Sequence, residues 1–202
     1  MKTLQKYCSL SLPLIAVLLL FISSCGNSNS GRDSSAKEIS NELAITEQEV
    51  LNAQKSWSDG IVSIGKVFTE KGDYVLEATN HIDKMYSYDN GLVLFKPTMA
   101  SVKQFRTDKV SALSYFVGGN PDYPEDYGFA IKPWSSIRWE NAAINIYGNT
   151  ALAMGNYYFT PASGGDEVKV EFSFAYVKDS TGALKIVLHD SHIPYSPKPE
   201  GH

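Results

Sequence analysis

The chain changes its hydrophobic rhythm once, from steps of three and four to steps of two. Val50, Ala53, Trp57, Ile61, Ile64 and Phe68 recur at helical spacing and predict one apolar helical face. Thr46-Glu-Gln-Glu49 opens that segment as a capping box, the Thr hydroxyl and Glu carboxylate each serving a free backbone N–H. Gly60 and Gly65 lie inside it; each weakens a helix by about 1 kcal/mol relative to Ala but permits close approach. Asp73 to Tyr86 predicts a second helix with Val75, Ala78, Ile82 and Met85 on one face. Asp89-Asn90-Gly91 marks a turn, and Leu92 to Phe95 a short buried strand stopped by Pro97. Ser101 to Val117 predicts a third helix, with Val102, Phe105, Val110, Leu113 and Phe116 in the core, closed by Gly118-Gly119-Asn120-Pro121.

After Tyr127 the pattern is that of strands. One begins at Trp134 to Trp139, and Ala142 to Tyr147 runs into the hairpin turn Gly148-Asn149-Thr150. Ala151 to Phe159 returns. Val168, Val170, Phe172, Phe174 and Tyr176 alternate with Lys169, Glu171, Ser173, Ala175 and Val177, the clearest period of two in the chain. Asp179-Ser-Thr-Gly182 turns into a final strand, Leu184 to His189, which climbs to the polar cluster His189-Asp-Ser-His192 and is stopped at Pro194. Helices first and a meander after argue α+β: a strongly bent antiparallel sheet wrapped around helices and enclosing a pocket.

The two ends fall outside this pattern. Residues 1–24 carry Lys2 and Lys6 and then an apolar stretch, Leu10 to Ile22, too short to span a membrane, and read as an export signal. Ile22-Ser-Ser-Cys25 resembles the bacterial lipobox, which implies cleavage before Cys25 and lipid on its thiol; an ordinary secretory signal with a chance Cys is the alternative. Residues 25–40 are rich in Ser, Asn and Gly and read as a tether, 41–197 as a single domain and 198–202 as a tail. The expected location is extracytoplasmic and lipid-anchored in a bacterial envelope, facing the periplasm from the outer membrane. Cys8 would leave with the signal, so the domain has no disulfide, thiolate nucleophile or Cys metal ligand. Removing Lys2 and Lys6 leaves 16 basic against 22 acidic residues, a net charge of −6. With no basic cluster, nucleic-acid binding is excluded as a function class.

Three stretches carry candidate chemistry: Leu94-Phe-Lys-Pro-Thr98, Ala112-Leu-Ser-Tyr-Phe-Val-Gly118 and His189-Asp-Ser-His-Ile-Pro-Tyr195, with Gly128 to Trp134 and Ala151 to Asn156 in support. Together they resemble the iota-class carbonic anhydrases, a family on the nuclear transport factor 2-like cone fold, and the related association domain of calcium/calmodulin-dependent kinase II. The resemblance implies a carbon dioxide/bicarbonate lyase without a required metal or other cofactor. It implies that Thr98, Tyr115 and Ser191 hold bicarbonate through their hydroxyls. Hydroxyls both donate and accept, which suits a substrate that changes charge.

The family pattern in the last stretch is two His followed by two Ser; here Asp190 replaces the second His and His192 the second Ser. His189, His192 and Asp190 are the candidates for a proton relay. Blander readings stand beside these: Thr98 as a cap, Tyr115 as a core aromatic, Ser191 as a turn residue. A zinc site on His189, Asp190 and His192 is disfavoured, because in an extended strand positions 189 and 191 share one face and 190 and 192 the other. Trp57, Trp134, Trp139, Phe129, Tyr157 and Tyr158 read as core and pocket wall. The alternative function is a non-catalytic, SnoaL-like cone module for a small ligand or for oligomerisation. Either way a homo-oligomer, a dimer, is expected, assembled through the exposed face of the meander.

Overall fold

The computed structural model describes residues 44–197; the export signal, Cys25, the tether and the tail lie outside them. Three helices, α1 (Glu47–Thr69), α2 (Tyr74–Met85) and α3 (Lys109–Val117), pack on five strands: β1 (Leu94–Lys96), β2 (Trp134–Tyr147), β3 (Thr150–Pro161), β4 (Val168–Lys178) and β5 (Leu184–His192). The strand order is β1-β5-β4-β3-β2, antiparallel except for the parallel pair β1 and β5. The expected α+β order is therefore observed. Among the described residues no helix is long and apolar enough to cross a membrane.

The capping box at Thr46 and Glu49 is formed, and Val50, Trp57, Ile61 and Ile64 of α1 are buried as the spacing required. Gly60 is needed because a Cβ there would overlap the His81 imidazole of α2. The helix is pinned to the sheet by polar pairs as well as by packing. The amides of Gln54 and Asn141 bond reciprocally at 2.7 and 2.9 Å, and the Trp139 indole donates to Ser58 Oγ at 2.6 Å.

Several expectations need correction. The third helix begins at Lys109, where Asp108 caps it, and not at Ser101. Residues 101–108 form a loop, and Val102, Phe105 and Val110, expected in the core, are exposed. The loop holds this shape because backbone N–H groups of Ser101, Val102 and Lys103 all donate to the Glu125 carboxylate, at 2.8 to 2.9 Å. Val75 is exposed on α2, and Leu92 and Leu94 are exposed beside the buried Val93 and Phe95, so β1 is a half-buried edge rather than a buried strand. The two segments read before Gly148 are one strand, β2, with a bulge between Asn141 and Ala143. Gly155 lies opposite, where a Cβ would strike the Glu140 carbonyl. The bulge bends the strand.

Candidate active site

The parallel pairing of β1 with β5 builds the site. Its register sets Phe95 beside His189 and Lys96 beside Asp190, so Pro97 and Thr98 leave the strand next to Ser191. Thr98 Oγ1 donates to Ser191 Oγ at 2.9 Å, although 93 positions separate them. Tyr115 reaches the same place from α3. Its ring stacks on Phe129 and meets Phe95 edge-on, and its hydroxyl accepts from the Met99 N–H at 3.4 Å. Thr98, Tyr115, His189 and Ser191 all face one cavity of about 730 Å³. Its walls are mostly apolar, with the aromatic rings of Trp57, Phe95, Phe129, Trp134, Tyr157 and Phe159 among them. Apolar walls with a few convergent polar groups are the form of a small-molecule site.

β5 stays extended through His192, so its side chains alternate. His189 and Ser191 are buried on the inner face, 3% and 2% exposed. Asp190 and His192 lie on the other face, bonded to each other at 2.9 Å, with Lys96 beside both. His192 is thus not brought to the cavity, and neither is Asp190; both leave the set of relay candidates. His189 and His192 do not converge on one point, and among the described residues no three His, Cys, Asp or Glu side chains group as a metal site.

The environment of His189 is aromatic. Phe174 and Phe95 stack on it at centroid distances of 4.1 and 4.7 Å. Burial pushes its imidazole down to about 3 from an ordinary 6.5, so it is neutral at physiological pH. Its Nδ1 lies 2.9 Å from the Tyr86 hydroxyl, and its Nε2 lies 3.5 Å from the Tyr157 hydroxyl. Burial also pushes the Tyr115 phenol up to about 12 and raises those of Tyr86 and Tyr157. The cavity therefore offers protonated hydroxyls and a neutral imidazole.

A rim loop supports the site. Arg106 is fully buried, donating to Asp126 at 2.8 Å, and Asp126 also accepts from Ser114 Oγ of α3 at 2.6 Å. Glu125 and Asp126 together tie residues 101–106 to α3. Tyr157, read as pocket wall, lines the same cavity as Ser191 and Thr98, and its hydroxyl lies 3.5 Å from His189 Nε2. Tyr158, read with it as core or pocket wall, lies instead on the other face of β3, where its hydroxyl donates to Glu140 at 2.9 Å and Arg138 covers its ring.

Comparison with known proteins agrees with this geometry. Residues 48–193 match the family profile described as metal-independent carbonic anhydrase. Over 155 residues the chain is 44% identical to a protein of that same description from Nostoc sp. (strain PCC 7120 / SAG 25.82 / UTEX 2576), spanning 75% of each. The crystal structure of the iota-carbonic anhydrase from cyanobacterium complexed with bicarbonate is similar at a TM-score of 0.75 and 43% identity, over 77% of this chain and 96% of that one. This chain belongs to the metal-independent carbonic anhydrase family, and it shares the fold of that iota-carbonic anhydrase structure.

Proposed function

We propose that this chain hydrates carbon dioxide reversibly to bicarbonate in the aromatic cavity, with Thr98, Tyr115 and Ser191 holding the substrate oxygens. The observation that carries this reading is the meeting of those three hydroxyls, from the turn after β1, from α3 and from β5, in one enclosure. Water attacks the carbon, a C–O bond forms, one C=O electron pair moves onto oxygen, and a water O–H bond breaks, its proton passing through the cavity mouth to solvent or buffer. Hydroxyl donors aimed at the oxygens stabilise the charge that develops there, most strongly where water is sparse. Substitutions at 190 and 192 set this chain apart from the family pattern, yet both side chains face away from the cavity. That placement favours turnover over a binding-only module. Stopped-flow hydration with chelator-stripped protein, zinc-supplemented protein and buffer tests the reading. Activity that survives stripping is expected; activity equal to buffer in both states overturns it in favour of the binding module, and activity only with zinc overturns its metal independence.

We infer further that Cys25 is lipidated and holds the domain at the outer face of the cytoplasmic membrane or at the outer membrane, through the tether of residues 25–40. The support is the lipobox pattern before Cys25. Lipid labelling and membrane fractionation should place the native protein in membranes and Cys25→Ser outside them; an unlabelled native protein refutes the anchor. A dimer through the outer sheet face is proposed from the exposed Leu152 and Met154 of β3, and a monomer by light scattering would remove it.

A further inference from the structure

Proton positions in the core follow from the partners. The Trp57 indole N–H is a donor only, and it meets the Tyr86 hydroxyl at 2.9 Å. Tyr86 Oη is thereby the acceptor, and its single proton has one acceptor within reach, His189 Nδ1 at 2.9 Å. His189 is neutral, so its one ring proton sits on Nε2. Nε2 faces the Tyr157 hydroxyl at 3.5 Å. Tyr157 then accepts from His189, and its own proton is left for the cavity that Thr98 and Ser191 also line.

We propose that Trp57, Tyr86 and His189 form a one-way chain of donors that presents the Tyr157 O–H to the substrate anion, making Tyr157 a fourth substrate-facing hydroxyl and His189 a positioning residue rather than the base. Every hydrogen bond in the chain points the same way, from the core outward to the cavity. Reversing it would leave the Tyr86 O–H without an acceptor, because its other partner, the indole N–H, has no lone pair to offer. The chain is therefore closed at its inner end and cannot carry the hydration proton away. That proton leaves on the other side, by the Thr98 and Ser191 hydroxyls and the mouth beside Met99 and Ile193, both exposed at the cavity rim. A protonated Tyr157 donor suits bicarbonate, whose charge lies on its oxygens, better than it suits neutral carbon dioxide. The side chains around His189 are Trp57, Tyr86, Phe95, Tyr157 and Phe174, none of them charged.

The inference rests on the carbonic anhydrase reading, and the test separates the two. Nitrogen-15 NMR of the imidazoles in the native protein reads the His189 tautomer without any turnover. The expected spectrum has the proton on Nε2 and does not titrate between about pH 5 and about pH 9. A proton on Nδ1, or an imidazolium in that range, overturns the chain. In Tyr86→Phe the Nδ1 partner is lost, and the spectrum should become a mixture of both tautomers; a spectrum identical to the native one shows Tyr86 to be packing alone and also overturns it. Carbon-13 NMR of bicarbonate binding then reads Tyr157→Phe, which keeps the ring. Loss of one donor to a developing oxyanion costs about 100-fold in turnover, with bicarbonate affinity falling alongside it. Unchanged affinity and unchanged turnover in Tyr157→Phe refute the role. If the native protein hydrates no carbon dioxide yet binds bicarbonate in a Tyr157-dependent way, the enzyme reading fails while the donor chain stands.

Discussion

At the scale of residues, two pairs show what a neighbour decides. Gly60 of α1 is a poor helix former, and its position is explained only by the His81 ring that occupies the space a Cβ would take. Thr98 and Ser191 are each ordinary as turn or cap residues, and become a site by lying 2.9 Å apart at the edge of an aromatic cavity. Neither hydroxyl supports the backbone in a helix cap, so removing either should spare the fold. Thr98→Ala and Ser191→Ala are each expected to lower kcat/KM by about 100-fold, the cost of one lost donor, with circular dichroism and the urea midpoint little changed. Native activity in both variants would remove the hydroxyls from the mechanism. The alternation along β5 was legible in the sequence and placed 189 and 191 together. That Asp190 and His192 would instead pair with each other and with Lys96 needed the neighbouring strand.

At the scale of elements, the segment from Ser101 to Asp108 is the instructive one. Its apolar residues stand at helical spacing, and it is a loop. Glu125 supplies a carboxylate that draws in three consecutive N–H groups, whose hydrogen bonds hold it down to about 2, and Arg106 buries its guanidinium against Asp126. These are contacts over some twenty positions that no local spacing encodes. The loop follows Thr98 directly, so its order is the order of the site. Asp126→Asn leaves the buried Arg106 charge only the longer 3.8 Å contact with Glu125, a loss bounded by the about 3–5 kcal/mol of a fully broken buried pair. The expected result is a lower urea midpoint and faster hydrogen exchange at residues 99–106, with turnover falling as Thr98 loses its support. An unchanged midpoint would show that the pair contributes nothing to stability.

At the scale of the whole molecule, the core contains two neutral histidines, and this sets its response to acid. Burial pushes His81 and His189 each down to about 3 from an ordinary 6.5. Between those values the unfolded chain binds protons that the folded one refuses. Their contribution to stability is complete above about pH 6.5 and is lost as pH falls toward about 3, at a slope of about 1.4 kcal/mol per pH unit for each group. Urea unfolding should show a clearly lower midpoint at about pH 5 than at about pH 7.5, and no change between them would mean that the rings are not held neutral. By itself the sequence determined the element order, the α+β class, the inner face of each long strand and the three stretches that bear the site. Those features rest on local periodicity, capping and turn chemistry, which act within a few residues. Only the tertiary structure decided that β1 pairs in parallel with β5, that residues 101–108 form a loop, that Tyr157 joins the hydroxyls, and that His192 is turned away from them. Each of those outcomes is set by which groups meet across tens of positions, and the free energy of such a meeting belongs to the packed molecule rather than to any stretch of chain.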